Sequence, residues 1–301
     1  RAGYHPEVKC GSIAAGSTLG AMIPPSIVLV VYGLYTGTSI GKLFAGSLVP
    51  GLMLTLCFAL TVGVVVRIHP DWAPAVPRGT RAQRLASLPA VLEVATLFGV
   101  IMAAMFSGLV TPTEAAGFGA LLAIVGCALR GKLPPSLLLK SLKATMRISA
   151  MVFLILAGAT VFGRFMVLTR LPFLLAEWVV RMQFAPWMVL ALMMACYFVG
   201  GCVMDALAFL LISLPLFEPV VAGLGYDAVW FGQTICLVTT LGAITPPIGV
   251  SCFVVNGLCP DATAAQVFRG AMRFLPAYFI VYLLLNLFPE AMVGALAGFV
   301  K

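Results

Sequence analysis

The sequence predicts an all-α polytopic membrane protein built on inverted-topology repeats, with a re-entrant hairpin and broken helices. Three observations carry this. Of 301 residues, 62% are hydrophobic and only 9% charged, whereas soluble domains carry about 25% charged residues. Apolar segments recur near residues 12–35, 43–66, 88–110, 114–130, 146–168, 187–201, 205–224, 229–256 and 274–299. Their lengths suit helices crossing a ~30 Å hydrocarbon core, not the alternating strands of an outer-membrane barrel. Finally, one helix-breaking string stands in two of these apolar segments, as "TLGAMIPP" at 18–25 and "TLGAITPP" at 240–247.

The net charge of +8 reads as a topology signal, because basic residues gather in cytoplasmic loops. With no interleaving of aromatic and basic residues, no nucleic-acid partner is expected. The linker "RIHPDWAPAVPRGTRAQR" from Arg67 holds four Lys or Arg residues and the segment Arg130 to Arg147 holds five, together nine of the eighteen. Both are placed in the cytoplasm. Two spans, 88–110 and 114–130, lie between them, the even number that a shared side requires. The second opens at "TPTEAAGFGAL", a capping box with proline at the first helical position, to which no chemistry is assigned.

Counting outward, 12–35 runs from inside to outside, 43–66 returns and 146–168 exits. Segments 187–201 and 205–224 are joined by the short turn "GGCVMD". At ~1.5 Å per residue the first arm reaches only about 22 Å, so a re-entrant hairpin is expected. Residues 229–256 then run from outside to inside, opposite to 12–35, and leave Arg269 and Arg273 inside.

The repeat is longer than its breaker. Residues 3–25, "GYHPEVKCGSIAAGSTLGAMIPP", align without a gap on 225–247, "GYDAVWFGQTICLVTTLGAITPP", with nine of twenty-three positions identical. The similarity continues through Phe44 and Gly46 against Phe268 and Gly270. Two copies of one unit in opposite orientation are a transporter signature.

Proline removes a backbone donor, clashes with the preceding turn and pushes its predecessor out of the helical region. At Pro24-Pro25 and Pro246-Pro247 this frees backbone groups at mid-membrane, where each costs several kcal/mol unless something satisfies it. Gly20 and Gly242 let the unwound chain turn, while Thr18, Thr240 and Thr245 add hydroxyl oxygens. The product is a set of neutral oxygens suited to Na+, beside half-helix N-termini suited to an anion. A plain structural kink is the competing reading of one such break; the inverted second copy favours the ion site. The hairpin tip adds Gly201 and Asp205, the latter costly at this depth unless paired or hydrated and also a good N-cap. The Na+ candidates are therefore Thr18, Gly20, Pro24, Gly201, Asp205, Thr240, Gly242, Thr245 and Pro246. Substrate candidates are Ser26 in the first turn of a half-helix, Asp205, and Arg164, which either holds a carboxylate or snorkels to the interface. The cysteines are scattered without a CxxC pair, and His5 and His69 are far apart in sequence, so no metal centre is expected from them.

The stretches "GSTLGAMIPPSIVLVVYG", "TPTEAAGFGAL", "GGCVMDALAFLLISLPLF" and "GAITPPIGVSCFVVNG" resemble the large membrane subunit of the tripartite ATP-independent periplasmic (TRAP) transporters. Their order and spacing match over essentially the whole chain. The resemblance implies a multi-pass protein of the bacterial inner membrane working as an elevator-type transporter, a symporter importing an organic anion such as a C4-dicarboxylate. Na+ would be the coupling ion, held with the substrate between two hairpin tips and two broken helices. A periplasmic substrate-binding protein would deliver the substrate, and a small four-helix membrane subunit would brace the scaffold in the lipid bilayer. On this reading residues 1–40 hold the first broken helix of the transport domain and 41–186 mainly scaffold and connecting helices. Residues 187–256 hold the hairpin and second broken helix, and 257–301 the C-terminal transmembrane helix. Two departures stand out. The chain opens at Arg1 without the family's first scaffold helices and first hairpin, and reads as an internal fragment. Thr240-Leu241 stand where many members carry an acidic residue.

Other readings remain open on the sequence alone. A dicarboxylate/Na+ elevator symporter that needs no binding protein would share the hairpins and breaks, and an inactive fragment would share everything. A channel fits paired inverted hairpins less well. An intramembrane aspartyl protease needs two carboxylates in one site; Asp205 has no second aspartate at its depth, and no enzyme is expected.

Overall fold

The computed structural model describes residues 3–74, 80–181 and 185–295. Part of the expected polar linker (75–79) and the end of the last apolar segment (296–299) lie outside the described residues. Among those described, regular structure is helical, and seven helical stretches are long and apolar enough to cross a membrane. The chain divides into two units: residues 3–74 with 158–295, and residues 80–157.

In the larger unit, α1 (Pro6–Met22) starts with proline at its first position, where the missing N–H is not needed, and stops where Pro24-Pro25 supply no donors. The chain restarts as α2 (Ile27–Thr36), capped by Ser26 and ended by Gly37 at φ 71°. The 29-residue α3 (Ile40–Ile68) follows its Ser39 cap and leads into a 3-10 turn at Pro70–Trp72. The second copy repeats the plan. Asp227 caps α10 (Ala228–Gly242), Thr245 to Gly249 form the break, and α11 (Val250–Leu258) resumes. Both Pro-Pro bonds are cis.

Between the copies come α4 (Arg81–Phe106), α5 (Pro112–Leu129), α6 (Pro135–Thr169) and α7 (Leu171–Arg181). The capping box at Thr111 is present in full: its hydroxyl accepts from Glu114 N–H, and the Glu114 carboxylate accepts from Thr111 N–H. Within the smaller unit, Glu93 of α4 pairs with Arg130 at the end of α5. Leu121, Ile148, Phe153 and Leu154 are among many exposed apolar side chains on α5 and α6. Such surface has no favourable place in water and belongs in lipid or against partner helices.

The hairpin arms are α8 (Pro186–Val203) and α9 (Ala206–Gly223). The first arm is longer than the apolar segment that announced it, because Pro186 starts the helix early and helical geometry persists through the glycines to Val203. Its 18 residues reach about 27 Å, so length alone does not make the hairpin re-entrant. The C-terminal span is α12 (Ala264–Met272) continued by α13 (Leu275–Leu287), which ends before Pro289, earlier than the apolar run.

α1 packs on α12 and α3, and α10 on α8. At the first of these contacts the backbones meet: a Cβ on Gly11 would lie 2.6 Å from Gly270 Cα and 2.8 Å from Ala271 N. Only glycine permits that approach. It sets Glu7 against Arg273, which pair at 2.8 Å with the Glu7 side chain 10% exposed. Arg273 also lies over the Trp72 ring, 4.4 Å from its centroid, and His5 and His69 stack on Trp72 at 4.3 and 4.2 Å. Sequence separation had hidden this meeting of the two histidines.

Candidate functional site

The first break is largely satisfied from within. The Ala21 carbonyl has lost its helical donor to Pro25; the Ser26 hydroxyl donates to it, and the Cys236 thiol of α10 donates at 3.2 Å. Ser26 Oγ also accepts from Leu29 N–H at 3.3 Å. Expected to offer an anion its hydroxyl, Ser26 is instead 1% exposed and committed to ending one half-helix and starting the next.

The second break treats the equivalent carbonyl alike. Ala243 C=O accepts from Ser251 N–H at 3.0 Å, and Gly242 C=O from Thr245 N–H at 2.9 Å. Here the hairpin tip closes on the break. The Cys202 carbonyl accepts from Ile248 N–H at 3.2 Å and Gly249 N–H at 3.1 Å. This contact requires glycine on both sides: a Cβ on Gly242 would lie 2.6 Å from the Gly201 carbonyl carbon, and one on Gly201 would lie 3.0 Å from Thr239 Cα. The structure thus brings Gly201, Gly242, Thr240, Thr245 and Pro246 into one neighbourhood of backbone oxygens. Pro246 also lines an open cleft of about 700 Å³ that carries Arg269, Arg273, His69 and Trp72.

The threonines are buried, and each spends its one proton on the helix. Thr18 donates to Ala15 C=O at 2.6 Å, Thr240 to Cys236 and Leu237 C=O at 2.9 Å each, and Thr245 to Leu241 C=O at 2.8 Å. What they offer a cation is their lone pairs. Thr18 further shares a hydrogen bond with the Tyr278 hydroxyl of α13. With Thr18 come Gly20 and Pro24 on the same stretch of chain.

Asp205 is exposed and caps α9, accepting from Leu207 N–H at 3.0 Å. Among the described residues it has no ion pair. Arg164 is exposed on α6, beside Gly163, where a Cβ would lie 3.4 Å from Pro215 of α9. It stands next to the second hairpin arm, with no hydrogen bond to either break.

Sequence reasoning missed Tyr278, Cys236 and the Cys202 carbonyl. One signal was available for Tyr278: extending the Phe44/Phe268 and Gly46/Gly270 correspondence puts it opposite Leu54. A tyrosine at a buried position where the other copy has leucine calls for a hydrogen-bond partner.

Residues 1–291 match the family described as tripartite ATP-independent periplasmic transporter, DctM component. The C4-dicarboxylate TRAP transporter large permease protein DctM of Pseudomonas aeruginosa is 33% identical over 96% of this chain and 67% of its own length. The sialic acid TRAP transporter large permease protein SiaM of Vibrio cholerae is 33% identical over 95% of this chain and 67% of its own. The ectoine TRAP transporter large permease protein TeaC of Halomonas elongata is 28% identical over 96% and 67%.

Proposed function

This chain belongs to the tripartite ATP-independent periplasmic transporter family, as its DctM component, and from that premise we propose that it forms the core of a Na+-coupled importer of a small organic anion such as a C4-dicarboxylate or other carboxylate. The family is one of transporters rather than enzymes, and the protein is an integral, multi-pass component of the inner membrane. The observation that carries the coupling proposal is the pair of inverted breaks. Each interrupts its helix beside a buried threonine, and the second is closed by the hairpin tip through the Cys202 carbonyl.

Thr240, Gly242, Thr245 and Pro246, with Gly201 from the tip, would hold one Na+; Thr18, Gly20 and Pro24 would contribute to another. Neutral oxygens are the right chemistry for a monovalent hard cation. Contact between tip and break supports the re-entrant reading, since it sets the tip at the depth of the break. The substrate class rests on the relatives' names: C4-dicarboxylates, sialic acid and ectoine bear carboxylate and isethionate a sulfonate, so what they share is an acidic group on a small organic solute. Arg164 beside the hairpin and Asp205 at its tip would bind the polar ends of that solute. Coupling follows if the loaded site crosses the hydrocarbon only with its charges compensated. A periplasmic binding protein and a small membrane subunit, which the family's tripartite organisation implies, would deliver the solute and brace the permease.

The test is uptake of labelled organic acids into proteoliposomes holding the complete permease, its small subunit and a binding protein. The comparison is a Thr240→Ala, Thr245→Ala double variant. Uptake driven by inward Na+, with the variant needing far more Na+, is the expected result. Uptake indifferent to Na+, or a variant with unchanged Na+ dependence, would reduce these threonines to kink chemistry.

A further inference from the structure

The Ala21 carbonyl lies four residues before Pro25, which brings it no N–H, and two side chains reach it instead. The Ser26 hydroxyl comes from the first copy of the repeat, and the Cys236 thiol, at 3.2 Å, from α10 of the second. A carbonyl oxygen has two lone pairs and no proton, so both contacts have one direction: hydroxyl and thiol donate and Ala21 accepts. The oxygen is thus faced by two positive hydrogens. The second copy differs. The Ala243 carbonyl accepts from a backbone donor, Ser251 N–H at 3.0 Å. Ile248, aligned with Ser26, has no hydroxyl, and Ala14, aligned with Cys236, has no donor in its side chain. Releasing the Ala243 carbonyl means moving α11. Releasing the Ala21 carbonyl takes only the rotation of two side chains.

We propose that Ser26 and Cys236 stand in for the cation at the first break: they are positioning residues that hold the Ala21 carbonyl in the ion-free protein and yield it to Na+. This rests on the Na+ reading given above, in which the neighbouring Gly20 and Pro24 belong to that site. Na+ and the two hydrogens compete for the same lone pairs. A bare carbonyl is costly at this depth. The donors therefore stabilise the empty site and weaken the hold on the ion by the same amount. Deleting one should tighten Na+ binding, the opposite of what deleting an ion ligand does.

The test is equilibrium binding of radiolabelled Na+ to the complete permease in lipid nanodiscs, with choline holding ionic strength constant, beside thermal unfolding with and without Na+. Cys236→Ala is the variant, because Ser26 also caps α2. A thiol is a weak donor, so the variant should bind Na+ about two- to fivefold more tightly, the ratio that one modest net hydrogen bond is worth. Without Na+ it should melt below wild type, and saturating Na+ should narrow that gap. A thiol that only packs would lower both melting temperatures equally and leave Na+ affinity unchanged, which overturns the proposal. Weaker binding in the variant overturns it as well, since the thiol would then assist the ion. Should Cys236→Ala fail to fold, Cys236→Ser decides with the opposite sign. Its hydroxyl is the stronger donor, so weaker Na+ binding supports the proposal, and equal or tighter binding overturns it. In all these outcomes Na+ still binds and the Na+ reading stands. Absence of Na+ binding in wild type removes both.

Discussion

Replacing Gly242 by alanine should pry the hairpin tip from the second break. The added Cβ would lie 2.6 Å from the Gly201 carbonyl carbon, 2.7 Å from Cys202 N and 2.7 Å from Phe198 O. All three are backbone atoms and none can rotate away. Carbon contacts settle at ~3.5–4.0 Å, so the tip must retreat by roughly 1 Å. That retreat stretches the bonds from Ile248 and Gly249 to the Cys202 carbonyl, which at 3.2 and 3.1 Å already lie at the long end of the normal range. Overpacking costs about 1–3 kcal/mol and each weakened hydrogen bond up to about 1 kcal/mol, a loss of roughly 2–4 kcal/mol. The repeat supplies the control. At Gly20, the same position of the first copy, a Cβ meets nothing within 4 Å, and alanine inside α1 should gain about 0.5–1 kcal/mol. Unfolding of the purified chain by SDS in mixed micelles, followed by circular dichroism, compares the two. If Gly242→Ala proves as stable as Gly20→Ala, the tip does not press on the break as described.

Three further outcomes follow from the same geometry. Arg273→Leu strands Glu7, whose side chain is 10% exposed, but a third of Arg273 is itself accessible. Its cost in thermal unfolding should fall below the about 3–5 kcal/mol of a fully buried pair, and adding Glu7→Gln should recover part of it. Asp205→Ala removes the cap on Leu207 N–H and should cost about 1 kcal/mol, whereas Asp205→Asn keeps it; transport lost in both variants would assign the carboxylate's charge, not its cap, to function. Trp230→Phe leaves the buried Leu285 carbonyl without the indole N–H it accepts at 2.9 Å, and a loss of about 1–3 kcal/mol should appear as a lower melting temperature.

The breaks were legible because proline acts locally: no neighbour restores an N–H that Pro25 and Pro247 lack. The capping box at Thr111 and the Asp205 cap were legible for the same reason, each needing only residues within one turn. What escaped was set by contacts between distant segments. Ser26 was read from its place after two prolines, yet its role depends on which carbonyl it reaches. His5 and His69 converge on Trp72 only because α1 and α3 are packed together. The length of α8 was underestimated because glycines in a tightly packed arm need not end a helix. Arg164 was read as either holding a carboxylate or snorkelling to the interface, and its exposure on α6 could not be read from hydropathy.

The stack of His5, Trp72 and His69 also gives this protein a light signal of its own. Indole emission depends on the groups in contact with its ring and changes as they separate. Both imidazoles stand within 4.3 Å of Trp72, with Arg273 over the same ring. With Trp178, Trp187 and Trp230 replaced by phenylalanine, the brightness of one native side chain would report, without any added dye, whether α1, α3 and α12 stay together.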